Sequence, residues 1–187
     1  MTKAKKGEYS YLSWRKKQEI LKTTVLFGIS AAIFVMGYFS TGSKNNLLTV
    51  VAVLGCLPAS KSAVSMIMNL RVRGCSSKDA ARIIEKFGQD FGIYNLYFTS
   101  YQKNYEIHHL VVKDLSVIAF SANEKTEERD FEEHMKTVLR HDGIQDYNIK
   151  LYHDLTKYIN RVEKLLALGK ERAEEERVIS TLFSVSL

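Results

Sequence analysis

The chain has 187 residues, 45% hydrophobic and 26% charged, with one Pro, ten Gly and two Cys. That composition excludes a disordered polyelectrolyte, a collagen-like or Pro-rich chain and a disulfide scaffold, and it leaves room for one ordinary domain plus an appendage. The net charge of +6 is uneven: residues 1–70 hold nine Lys/Arg against two Glu, and residues 71–187 hold eighteen against nineteen Asp/Glu. A nucleic-acid-binding domain carries its own basic excess. The balance in the C-terminal part therefore argues against a nucleic-acid partner.

Residues 1–22 read as a basic N-terminal segment. From Thr23 to Ser43 no residue is charged. About 20 residues at a helical rise of about 1.5 Å cross a hydrocarbon core of about 30 Å, so a first transmembrane span is predicted over 23–42. A second is predicted over 47–68, interrupted by Pro58 and Lys61, and the two together form a hairpin over 23–70. If about 20 residues starting at Leu47 make the crossing, Lys61 lies about five residues, roughly 7.5 Å, from its inner end, within snorkelling reach. A Lys beside a Pro inside a span marks Pro58 and Lys61 as the functional candidates of the membrane part. The plainer alternative is an interfacial Lys next to a helix kink.

Lys3, Lys5, Lys6, Arg15, Lys16, Lys17 and Lys22 precede the first span, and Arg71, Arg73, Lys78 and Arg82 follow the second. Lys44 alone occupies the connecting loop. The positive-inside rule then predicts a multi-pass protein of the cell membrane with both termini cytoplasmic. The run YSYLSWRKKQEILK reads either as a surface helix or as an extension of the first span. Small residues in both spans (Gly28, Ser30, Gly37; Ala52, Gly55, Ala59, Ser62) suit close packing within the hairpin and leave room for a homo-oligomer. Cys56 and Cys75 read as free thiols, with Cys75 a candidate for lipidation.

A cytoplasmic α/β domain is predicted over 71–169. Ser76 or Ser77 caps a helix that places Ala80, Ile83, Ile84 and Phe87 at helical spacing and ends at Gly88. Three strand-like runs follow, IYNLYFTSYQ, YEIHHLVVK and LSVIAFSAN, with turns at Lys103-Asn104 and at Asp114. A helix is predicted from Glu124 to Arg140, then a strand YNIKLYHD with Tyr147, Ile149 and Leu151 on one face. The closing helix aligns Leu155, Tyr158, Ile159, Val162, Leu165 and Leu166, and Gly169 ends it. Residues 170–187 form a helical tail, charged first and apolar last, whose apolar end docks on the domain, the membrane or a partner.

This order of elements resembles the αβββαβ core of the restriction-endonuclease-like fold. Within it, EIHHLVVKDLSVIAFSAN resembles the central hairpin of the nuclease-related domain family. There the run is Ile-Asp-His-Leu-Val-Val, a Gly-containing turn, and an apolar strand ending Glu-x-Lys. Laid on this chain without gaps, the family's Asp falls on His108, its His on His109, its turn Gly on Ser116, its Glu on Ser121 and its Lys on Asn123. The resemblance implies magnesium held by acidic residues and a Lys assisting the attacking water. His108, Ser121 and Asn123 replace all three, so it implies a degenerate active site. Glu106, Asp114 and Glu124 lie close enough in sequence to supply, with His108, a rearranged one.

Other chemistry is sparse. None of His108, His109, His134, His141 and His153 has zinc-helix spacing. His108 and His109, adjacent on a strand, are expected to face opposite sides, and most of the five are expected at surfaces or turns. The aromatic crowd of Phe91, Tyr94, Tyr97, Phe98, Tyr101 and Tyr105 reads as core and cross-strand packing rather than a base-stacking platform. There is no GxSxG and no phosphate-binding Gly-rich loop. These observations predict a membrane-anchored, non-catalytic binding or regulatory module without a metal or cofactor. Its partners are the lipid bilayer and a membrane or cytoplasmic protein. The rival readings are a membrane-anchored metal-dependent nuclease or hydrolase with a rearranged site, and a small subunit of a membrane transport or secretion complex.

Overall fold

The computed structural model describes residues 4–100, 103–168 and 174–187. Lys3, Tyr101, Gly169 and the first residues of the tail lie outside them. The chain divides into two compact units, one formed by Leu12–Val72 and the other by the N-terminal segment up to Tyr11 together with everything from Arg73 onward.

The first unit is a helical hairpin. Helix α1 spans Tyr11–Thr41 and α2 spans Leu47–Arg71. Both are long and apolar enough to cross a membrane. The basic run before Thr23 is thus an extension of the first helix. Pro58 lies inside α2, where its missing N–H leaves one backbone bond unmade. Asn46 organises the turn. Its Oδ1 accepts from Thr49 N at 2.8 Å, and its Nδ2 donates to Gly37 O at 2.9 Å and to Ser43 O at 2.8 Å.

The helices touch through small residues spaced by seven, as in a coiled coil. On α1 these are Thr23, Ser30 and Gly37, all buried. Opposite them, in constant antiparallel register, stand Ser62, Gly55 and Leu48. Thr23 and Ser62 share a hydroxyl hydrogen bond of 2.9 Å. A Cβ added at Gly55 would stand 2.8 Å from Ser30 Oγ, and one at Gly37 2.7 Å from Leu48 Cβ. Buried Ala52 and Ala59 lie between these contacts on α2. Large side chains such as Leu21, Val25, Phe39, Val53 and Leu57 point away from the hairpin and are exposed.

The second unit is a three-layer α/β domain. Helix α3 spans Ser77–Phe87, capped by Ser76, whose side chain accepts from Asp79 N. The strands are β1 (Ile93–Thr99), β2 (Asn104–Lys113), β3 (Ser116–Phe120) and β4 (Asn148–Tyr152). The helices are α4 (Glu128–His141), α5 (Leu155–Leu168) and α6 (Glu174–Val185). The sheet order is β1-β2-β3-β4, with the first two pairings antiparallel and β3 parallel to β4.

Each face of the sheet carries a core. One is built from Phe98, Ile107, Leu110 and Ala119 with Phe131 and Met135 of α4 and Val178 and Leu182 of α6. The other joins Ile118 and Phe120 to Ile83 of α3 and to Tyr158, Val162 and Leu165 of α5. The tail is therefore not a separate segment: the apolar side of α6 docks on the domain. Residues 4–11 do the same, since Tyr94 N donates to Gly7 O at 2.7 Å on the outer edge of β1. Lys6 Nζ donates to Phe183 O and Ser186 O, both at 2.7 Å, at the end of α6.

Two further expectations are corrected. The helix predicted from Glu124 starts at Glu128. Asn123 Oδ1 accepts from Lys125 N at 3.1 Å and Asn123 O accepts from Thr126 N at 3.0 Å, so side chain and backbone fold the first residues into a turn. Cys75 is buried, its thiol pushed up to about 12 by burial and then by nearby Asp79. A buried, protonated thiol is no acceptor for a lipid chain.

Candidate functional site

Strands β2 and β3 run antiparallel, so the start of β2 lies beside the end of β3. This end of the hairpin adjoins the carboxyl ends of the parallel pair β3 and β4, where open α/β sheets carry their ligand sites. Glu106, His108, Ser121, Asn123 and His153 collect there. Glu106 is buried and both of its carboxylate oxygens are engaged. Oε1 accepts a hydrogen bond from Arg73 N, and Oε2 accepts from Asn123 Nδ2 at 3.1 Å. Ser121 Oγ donates to Glu106 O at 2.6 Å and accepts from Asn123 N at 3.2 Å.

His108 Nδ1 accepts from Ala122 N at 3.1 Å, which places its ring proton on Nε2. Burial lowers the pKa of His108, against a smaller opposing pull from Glu106 and Asp79. The ring is thus neutral near pH 7. His153 Nδ1 donates to Ser121 O at 2.8 Å. The result is a closed network whose polar atoms hold one another and the backbone that precedes α3.

The other sequence candidates lie apart. Asp114 sits in the turn at the opposite end of the hairpin, where it and Leu115 adopt left-handed φ of 42° and 56°. Ser116, aligned with the family's turn Gly, is the first residue of β3 rather than part of that turn. Glu124 is exposed in the loop before α4. Among the described residues no three His, Cys, Asp or Glu side chains gather as metal ligands. Pro58 and Lys61 are exposed on α2 in the other unit.

His108 and His109 do not alternate as expected. His108 lies against Phe120 and His109 against Tyr158, and these two rings pack on each other in one core. The pleat is broken where Asn95 faces His108: Asn95 has φ of 58° and the pairing skips that position. Both are buried rather than surface histidines. His109 Nε2 donates to Phe91 O at 2.9 Å and Nδ1 accepts from Tyr158 Oη at 2.6 Å. Gly92, at φ of 73°, makes room for that ring, since a Cβ there would come within 2.5 Å of His109 Cε1.

No protein-family model, curated protein or solved structure matches the chain. The geometry of the site itself therefore carries the functional argument. Sequence reasoning missed the main chain of Arg73, the turn of Asn95 and the role of His153. No residue-type pattern signals a backbone N–H as partner, and Asn95 sits in a run that otherwise reads as an uninterrupted strand.

Proposed function

We propose that the chain is a two-pass membrane protein with both ends cytoplasmic, whose α/β domain is a degenerate restriction-endonuclease-like module that binds or regulates and does not catalyse. The observation that carries this reading is the engagement of Glu106. One oxygen takes the Arg73 amide and the other the Asn123 amide, which ties the carboxylate to the backbone before α3 and to the loop after β3, and among the described residues no three His, Cys, Asp or Glu side chains gather to complete a ligand set with it. The positions aligned with the nuclease ligands serve as a structural clasp.

The two-pass reading has its own support. The segment ahead of α1 lies on the domain that follows α2, a connection that requires an even number of membrane crossings. Helices with this much exposed apolar surface are suited to lipid. The order α-β-β-β-α-β from α3 to β4 is the order the resemblance implies.

The test is calorimetric titration of the full chain in detergent with magnesium and manganese. No saturable binding is expected. Saturable binding that is lost in Glu106→Gln would overturn the non-catalytic reading in favour of a metal-dependent nuclease with a rearranged site.

A further inference from the structure

The helical hairpin carries an uncompensated pair of cations at one depth. Lys22 immediately precedes Thr23, and Lys61 immediately precedes Ser62, the two residues joined by the 2.9 Å hydroxyl bond. In two antiparallel helices, the residues preceding each member of a facing pair lean to the same flank. Lys22 and Lys61 therefore project from one side of the hairpin at nearly the same height. Arg15 extends the same stripe two turns farther along α1. Both lysines are exposed, and neither has an acidic partner among the described residues. The one acid of this unit, Glu19, has its Oε2 buried.

The surroundings of the pair are those of a lipid interface. Leu21, Val25, Leu57 and Val64, near the lysines in sequence, are exposed. Lys22 stands about 28 Å along α1 from Thr41, close to the thickness of a hydrocarbon core of about 30 Å. Two ammonium groups on flexible four-carbon stems thus reach phosphate depth while their stems lie on apolar surface. Two like charges at one depth, neither of them ion-paired to Glu19, favour an anion.

We infer that Lys22 and Lys61 form a binding site for the phosphate of an anionic phospholipid on the cytoplasmic side of the bilayer. This rests on the membrane-spanning reading above. It gives Lys61 a task beyond snorkelling, because the site needs the second helix to complete it. A cation close to an anionic surface contributes about 1 kcal/mol, which is about fivefold in lipid preference per lysine.

In a Trp14→Phe background, Val25→Trp places a single tryptophan at an exposed position of α1, about 4.5 Å along the helix on the apolar side of Lys22, where it reports on the lipid beside the pair. The full chain carrying these two substitutions is reconstituted in phosphatidylcholine vesicles containing brominated phosphatidylglycerol or, in parallel, brominated phosphatidylcholine, and quenching of that tryptophan is compared. The glycerol lipid should quench more strongly at equal mole fraction. Lys22→Gln and Lys61→Gln should each lower the preference about fivefold, and Lys22→Arg with Lys61→Arg should keep it. Equal quenching by both lipids, or a preference untouched in the double Gln variant, would overturn the site. Absence of quenching by either lipid would instead overturn the membrane-spanning reading on which it rests.

Discussion

Acidification should unfold the α/β domain through His109. The imidazole is fully buried between Tyr94 and Tyr158, with Nε2–H given to Phe91 O and Nδ1 taking the Tyr158 hydroxyl. A second proton on Nδ1 would make the Tyr158 hydroxyl rotate to accept it and give up its own donated bond. Phe91 and Phe120 complete the surroundings and supply no compensating charge. Burial accordingly pushes the His109 pKa down to about 4, with the bond to Phe91 O opposing in part.

The ordinary value for an unfolded chain is about 6.5. The folded pKa lies below it, so the unfolded state takes up the proton first. The contribution is fully present above about pH 6.5 and is lost as pH falls through about 4. A difference of about 2.5 pH units at about 1.4 kcal/mol each gives about 3 kcal/mol in total, of which about 2 kcal/mol is gone by pH 5. Urea unfolding of the full chain in non-ionic detergent, followed by near-UV dichroism of the tyrosines, measures this at pH 7 and pH 5. His109→Gln removes the titrating group and should flatten the pH dependence while lowering stability at pH 7. An identical pH dependence in wild type and variant would refute the assignment, as would a folded-state His109 titration near 6.5 by NMR.

Leu182→Ala removes a fully buried side chain of α6 from the core it shares with Phe98 and Phe131 and should cost about 2–5 kcal/mol in the same unfolding assay; a tail that served only as solvated surface would show no change. Gly37→Leu forces a side chain against Leu48 Cβ and Asn46 and should destabilise the hairpin by about 1–3 kcal/mol, read as a lower melting temperature in detergent, with Gly28→Leu as a neutral control because nothing lies near it. Asn95→Ala strands the Cys75 and Tyr9 backbone groups and should cost about 1–3 kcal/mol, with faster amide exchange at Cys75; unchanged protection there would remove Asn95 from the argument.

What was legible in the sequence followed from periodicity and length. The two long apolar helices, the spacing of Ile83 and Phe87 in α3, and the run from Leu155 to Leu165 in α5 all depend on side chains buried along one helix face. The signal for α6 was present in Val178, Ile179, Leu182 and Phe183, but spacing says that a face is apolar and not what covers it. The break between His108 and His109 was illegible because its cause lies on another strand. The Glu106 clasp was half legible. Its neighbours Ser121 and Asn123 were singled out through the nuclease resemblance, whereas the Arg73 amide is a backbone group brought in by the path of the chain.

Asn95 connects these observations. Its left-handed φ of 58° is a conformation that Asn tolerates better than most residues, and it turns the amide out of the pleat. The side chain then faces both segments that flank the helical hairpin in sequence: Nδ2 donates to Tyr9 O at 3.0 Å and Oδ1 accepts from Cys75 N at 2.7 Å. Arg73 N is tied to Glu106 nearby. The hairpin is therefore an insertion in the domain rather than an appendage to it. β1 would otherwise be an open sheet edge, and it is covered by Gly7 from the N-terminal segment and by Leu187, whose N–H reaches Tyr97 O at 2.9 Å. A fragment beginning after α2 loses half of that cover and one of the two bonds of Asn95. The domain thus reaches its complete fold only with the segments before and after the hairpin both present. A soluble fragment is accordingly a poor stand-in for the protein in any assay of its function.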